Sequence, residues 1–135
     1  MLMIIAGLDR TSFQASVICP KDGALTRLSE ELKVPVSNVE LLQARFTWRP
    51  DHLVKYLISF FGVIFKLRRM IVESSPNLIH ANTIRAGLVA TTATFGTGIP
   101  VLWHLHDMLP LHPFSTLIRW YAALSVRTSL LAISE

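Results

Sequence analysis

The sequence predicts an α/β fold, a parallel sheet with helices on both faces, and three observations lead to it. Short apolar runs alternate with helical patterns along nearly all of the 135 residues, and alternation with short connections gives a parallel sheet. The runs are continuous rather than alternately apolar and polar, as strands are when both faces are covered. Residues 77–107, NLIHANTIRAGLVATTATFGTGIPVLWHLHD, form one strand–helix–strand unit. Both of its strands end in polar residues, where open α/β sheets place their ligands.

The elements follow in order. Residues 2–10 (LMIIAGLDR) read as the last turns of a helix. FQASVICP, 13–20, is β-branched and apolar and is stopped by Pro20, which makes it a strand. Asp22 is placed to cap a helix through about Lys33, with Leu25, Leu28 and Leu32 on one face. Pro35 breaks that helix, and VELLQA, 39–44, is the second strand. Pro50-Asp51 opens the longest element, which runs to Ser74 and spans roughly 36 Å at about 1.5 Å per residue. Its polar positions, His52, Lys55, Ser59, Gly62, Lys66, Arg69 and Glu73, step by three and four and trace one narrow stripe. Nearly everything else on it is apolar. NLIHAN (77–82) is a strand, 83–95 a helix, and Gly96-Thr97-Gly98 the helix stop. PVLWHLH (100–106) is a strand, 113–127 a helix and SLLAIS (129–134) a last strand.

A length of 135 residues allows one domain at most. With 51% hydrophobic and 16% charged residues, the chain has ample surface to bury, which excludes disorder. The charge is uneven. Arg45, Arg49, Lys55, Lys66, Arg68 and Arg69 are opposed by Asp51 alone, a local excess larger than the whole net charge of +4. A basic patch favours phosphates, nucleotides or acidic lipid headgroups. Nucleic acid is not the expected partner, because these residues share a helix with a very wide apolar face and no reading motif occurs. Cys19 is the only cysteine, so no internal disulfide forms, which fits a reducing compartment; it reads as a small core residue. Residues 1–8 are apolar, but no basic residue precedes them and Asp9-Arg10 closes the run, so no signal peptide is read there. In the long helix the charge-free run 56–65 is about half of the ~20 residues needed to span a bilayer. That helix either buries its apolar face against a sheet or also rests on an anionic membrane.

Chemistry gathers at two strand ends. His104 and His106, in WHLHD, are two apart on a strand and share one face. An imidazole at the carboxyl end of a parallel strand can hydrogen-bond a phosphate or sugar hydroxyl, or transfer protons near neutral pH. Asp107 follows at the corner. In HANTIR, Asn82 and Thr83 sit where a strand turns into a helix, and either one caps it or the turn receives a phosphate. Arg85 in the first turn adds a donor fork for an anion. An HxH pair on a strand also suits a metal-dependent hydrolase, with His80, Asp107 and His112 as candidate further ligands. A third class is a non-catalytic, membrane-associated module built on the 51–74 helix. No glycine-rich phosphate loop, nucleophile elbow or close carboxylate pair occurs.

NLIHANTIRAGL, GIPVLWHLHDMLP and LLAISE together resemble the amino-terminal half of family 4 glycosyltransferases of the GT-B type. LDRTSFQASVICPKDGALTRLSEEL resembles that family's second strand and helix. The resemblance implies residues 1–135 as a partial, Rossmann-like acceptor-binding domain, with the first strand missing and the carboxyl-terminal nucleotide-sugar domain absent. It implies a retaining transfer of sugar from a nucleotide-sugar donor to an envelope, lipid-linked or polysaccharide acceptor. The donor is a co-substrate, and neither a resident cofactor nor a metal is implied. His106 would be the catalytic histidine of the cleft, and His104, Asp107, Asn82, Thr83 and Arg85 would bind substrate. Lys55, Lys66 and Arg69 would meet an anionic membrane surface, placing the protein in the cytoplasm or on the inner face of the plasma membrane. The expectation for this chain alone is that catalysis is incomplete.

Overall fold

The computed structural model describes residues 2–39, 50–106, 113–125 and 127–132. The chain divides into two units, Met1–Tyr56 and Leu57–Glu135.

The first unit holds α1 (Leu2–Gly7), β1 (Val17–Cys19), α2 (Ala24–Glu31) and β2 (Val36–Asn38). β1 and β2 pair in parallel, Val17 opposite Val36 and Cys19 opposite Asn38. Ile5, Val17, Cys19 and Val34 form the core, with Ala15, Leu25, Leu32 and Val36 packed against it. Cys19 is buried as expected, its thiol 3.2 Å from the Thr26 hydroxyl, which donates to the Pro20 carbonyl at 2.9 Å.

A strand forms at Val36–Asn38; the strand expected at 39–44 falls, from residue 40 on, outside the described residues. Two expectations change here. Asp22 does not cap α2: the N-cap is Gly23, with no side-chain hydrogen bond. The inward face of α2 carries Thr26 and Ser29 rather than Leu28, which is exposed. Small side chains let the helix approach its strands closely, and Thr26 is buried with its hydrogen bond made.

α3 (Pro50–Ser74) runs from the end of the first unit into the second, which also holds β3 (Ile79–Ala81), α4 (Ile84–Ala93), β4 (Val101–Leu105), α5 (Pro113–Leu124) and β5 (Thr128–Ala132). The three strands are parallel in the order β3-β4-β5, with β4 central. α4 packs on β3 and β4, and α5 on β5. Gly96 and Gly98 take φ of 77° and 79° after α4, the left-handed conformation expected of a glycine stop.

The pleat of the sheet sorts the side chains by parity. Ala81, Val101 and Trp103 are buried on one face. Trp103 is 1% exposed, and its Nε1 donates to Thr91 Oγ1 of α4 at 2.8 Å. Across from it sits Gly87 of α4, where an added Cβ would lie only 2.6 Å from Trp103 Cε2. Even-numbered residues, His80 of β3 with Asn82 just beyond it and His104 of β4 with His106 just beyond it, belong to the opposite face.

α3 divides its wide apolar surface in two. Val63, Ile64, Leu67 and Ile71 are buried, whereas Ile58, Phe61, Phe65 and Val72 are exposed. The exposed four are spaced by three, four and seven and form one stripe. Arg68, counted in the basic stretch, is engaged within the fold: its Nη1 donates to the Ala93 and Phe95 carbonyls at 2.9 and 2.7 Å. It ties α3 to the carboxyl end of α4, where free carbonyls favour a cation. Among the described residues, no helix is long and apolar enough to cross a membrane.

Candidate functional site

The site grows from the register of β3 on β4. His80 lies opposite Leu102 and Ala81 opposite Trp103, so Asn82, one residue beyond β3, falls level with His104. His106 lies one residue beyond β4. Three imidazoles therefore line up at the carboxyl ends of two neighbouring parallel strands. His80 and His104 stack at 5.4 Å between ring centroids, 15° from parallel, and His104 and His106 lie 4.2 Å apart at 31°. Asn82 reaches along the row to His106, its Oδ1 2.9 Å from Nε2.

Electrostatics separates the three rings. Burial, and then the neighbouring His104, holds His80 below the usual histidine value. Burial, and then His106, lowers His104 in the same way. The cause is visible in the geometry: His80 Nε2 and His104 Nδ1 are both enclosed without a hydrogen-bond partner. An imidazolium has two N–H donors to satisfy, so a ring with one enclosed, unpartnered nitrogen resists the second proton. The two inner rings resist protonation, and His106 stands exposed at the end of the row.

Of the residues expected from sequence, Asn82, His104 and His106 are brought together. Thr83 is the N-cap of α4, and its hydroxyl accepts from Ala86 N at 3.1 Å, which decides between the two capping candidates. Arg85 lies exposed in the first turn of α4. Asp107 and His112 lie outside the described residues, as do Arg45, Arg49 and the side chain of Lys55. Lys66 is exposed on α3, and Arg69 pairs with Glu73 one turn along at 2.8 Å. The basic stripe is thus partly neutralised by its own Glu73. Among the described residues, no group of three or more His, Cys, Asp or Glu is arranged to hold a metal ion; the imidazoles stack face to face instead of converging their lone pairs.

His80, considered in the sequence only as a candidate metal ligand, belongs to the row, and the period of two from His80 to Asn82 places both on one face. Gly87 sets how closely α4 approaches β4, and a lone glycine inside a helical pattern signals that kind of contact. A cavity of about 250 Å³ in the first unit is lined by Lys21, Asp22, Gly23 and Arg27 and holds none of the expected site residues.

Residues 1–132 match the family described as glycosyl transferase 4-like domain. None of the curated proteins gives a significant match. Among solved structures, MurG of Acinetobacter baumannii is similar with a TM-score of 0.61 at 18% sequence identity, over 87% of this chain and 34% of that one. The likeness shows the fold: parallel sheets with alternating helices, Rossmann-like, matching the amino-terminal half of the GT-B fold of MurG. This chain spans about a third of that protein's length.

Proposed function

Because this chain belongs to the glycosyl transferase 4-like domain family, we propose that it is the acceptor-holding, amino-terminal domain of a GT-B glycosyltransferase. The reaction is transfer of a sugar from a nucleotide-sugar donor to an envelope, lipid-linked or polysaccharide acceptor, with retention of anomeric configuration. In this reading the present domain holds the acceptor, and the nucleotide is held by the other domain of the GT-B pair. What carries this reading is the geometry of His106, an exposed imidazole tied to Asn82 at 2.9 Å at the carboxyl ends of two adjacent parallel strands, where such sheets take their ligands.

Each residue has a chemical part. In a retaining transfer the bond between the anomeric carbon and the leaving phosphate breaks as the acceptor oxygen bonds to the same face, and the acceptor proton passes to the leaving phosphate oxygen. His106 orients a hydroxyl for that event, and His104, kept neutral beside it, adds no repelling charge. Arg85 and the amino end of α4, capped by Thr83, suit a phosphate of donor or lipid-linked acceptor. Asp107 flanks His106 in sequence and completes the set.

The exposed stripe of α3, Ile58, Phe61, Phe65 and Val72, runs beside Lys66 and Arg69. An apolar strip edged by cations suits the interface of an anionic membrane, which supports a peripheral position on the cytoplasmic face of the plasma membrane, close to a lipid-linked acceptor.

Titration of the 135-residue chain with short-chain lipid-linked sugars and free oligosaccharides tests the proposal, read through the His104 and His106 ring resonances. The expected result is saturable movement of both with an acceptor-type sugar, abolished for the ligand by His106→Ala. Rings unmoved by every sugar but shifted by micromolar zinc would favour the hydrolase alternative.

A further inference from the structure

We infer that Asn82 is a positioning residue that holds His106 as the Nε2–H tautomer, so that Nδ1 is the atom offered to substrate and the group it meets is a hydroxyl, not a phosphate. What Nδ1 meets rests on the transferase reading; the tautomer rests on geometry alone.

The amide oxygen of Asn82 lies 2.9 Å from His106 Nε2. An oxygen of this kind only accepts, so Nε2 carries the proton, and a neutral imidazole has one donor and one acceptor. Its remaining lone pair is on Nδ1. Asn82 is itself fixed at both ends: the preceding Ala81 is the last residue of β3 and is buried, and the following Thr83 caps α4. A side chain leaving so constrained a turn is a better orienting group than one on a mobile loop. The second nitrogen of an imidazole is commonly governed in this way by the bond its partner makes.

The neighbours of His106 sharpen the consequence. Among the described residues the titratable group against it is His104, with His80 stacked behind, and both are held toward neutrality by burial. Neither lends a proton or a negative charge to His106. In the neutral ring Nδ1 therefore presents a lone pair. A sugar hydroxyl can donate to it, whereas a fully ionised phosphate oxygen has no proton to give and would meet it lone pair to lone pair. The row is thus matched to the hydroxyl part of a glycan, and anion binding falls to other groups such as the α4 amino terminus.

Long-range proton–nitrogen correlation spectra of the ¹⁵N-labelled 135-residue chain read the tautomer directly, at about pH 8 where histidines are neutral. His106 is expected to show a protonated Nε2 and an unprotonated Nδ1. Asn82→Ala should release it to the averaged pattern of an exposed histidine while His80 and His104 keep their shifts. Asn82→Asp should retain the Nε2–H bond and raise the proton affinity of His106 about tenfold, because the new carboxylate favours the cation. A proton on Nδ1 in the unmodified chain, or a His106 pattern unchanged by Asn82→Ala, overturns the inference. If the alanine variant does not fold, an unmoved His106 titration in Asn82→Asp overturns it equally. None of these readouts needs sugar transfer: a wrong tautomer leaves the transferase proposal standing. A correct tautomer with no response to acceptor sugars counts against that proposal alone.

Discussion

Gly87→Ala should destabilise the chain, although alanine is the better helix former. Gly87 lies inside α4 with its Cα facing the Trp103 indole. A Cβ there would sit 2.6 Å from Trp103 Cε2 and 2.8 Å from Cε3, with Cδ2 closer still. The indole cannot retreat cheaply, since it is 1% exposed on the central strand and held by its bond to Thr91. Overpacking of this kind costs about 1–3 kcal/mol. Displacing the ring would add about 1 kcal/mol for the lost hydrogen bond, and the helix propensity of alanine returns about 1 kcal/mol. The net is a loss of about 2 kcal/mol, a fall of roughly 1 M in the urea midpoint for an m-value of about 2 kcal/mol/M.

Gly62 supplies the control within the same molecule. An added Cβ there meets nothing within 4 Å, and the residue is exposed in the middle of α3. Gly62→Ala should therefore stabilise by up to about 1 kcal/mol. The same substitution in two helices is expected to have opposite signs. Truncating the ring should relieve the clash, so Gly87→Ala on a Trp103→Leu background should cost less than on the original, a measurable coupling between touching residues. Equal midpoints for Gly87→Ala and Gly62→Ala, or additive behaviour with Trp103→Leu, would refute the close-approach argument.

Thr83→Ala should cost about 1 kcal/mol by removing the α4 cap, with Thr83→Ser nearly neutral; urea titration of the two variants checks this. His80 and His104 are both held below the usual histidine value by burial first, so below about pH 6.5 the unfolded chain binds more protons than the folded one. The stability these two rings contribute is intact above that pH and is lost as pH falls through their depressed folded values. Thermal midpoints should drop between about pH 8 and about pH 5, and His80→Gln with His104→Gln should flatten the slope; an unchanged slope would contradict it. On α3, Phe61→Ser with Phe65→Ser should weaken co-sedimentation with anionic vesicles tenfold or more, since each buried aromatic is worth about 1.5–3 kcal/mol. Lys66→Glu with Arg69→Glu should weaken it as well, and vesicle binding indifferent to both pairs would reject a membrane role for this helix.

Much of this architecture was legible in the residues because burial on two faces leaves an unmistakable mark. VLWHL and the helix stop at Gly96-Thr97-Gly98 fell where expected, since continuous apolar runs and left-handed glycines admit few alternatives. The early part of the chain was harder. VSN at Val36–Asn38 has little local hydrophobicity to mark it as a strand, yet it pairs, with Val17 opposite Val36, because its partner strand is there to receive it. Asp22 failed as a cap because α2 starts at Ala24 after Gly23, and a helix boundary one or two residues away is enough to swap the capping residue. Leu28 was assigned inward by periodicity alone, whereas Thr26 could be buried because the Pro20 carbonyl was there to accept its hydroxyl, a tertiary fact with no local signature.

The face shared by His104 and His106 was legible for a geometric reason. Period-two alternation on a strand fixes which residues share a face before any partner is known, so His104 and His106 were placed together by spacing alone. What spacing could not give was the stacking of His80 on His104 and the tie of Asn82 to His106, because both depend on the register between β3 and β4. That register is held from the other face of the sheet, where Ala81 and Trp103 are buried side by side and Gly87 lets α4 close down on the indole. A methyl group added at Gly87 should therefore be felt at His106: if it shifts α4, it moves Thr83, and with it the Asn82 amide that orients the ring. The His106 ring resonances in Gly87→Ala report that coupling directly, and if they match those of the unmodified chain, core packing and histidine row are independent.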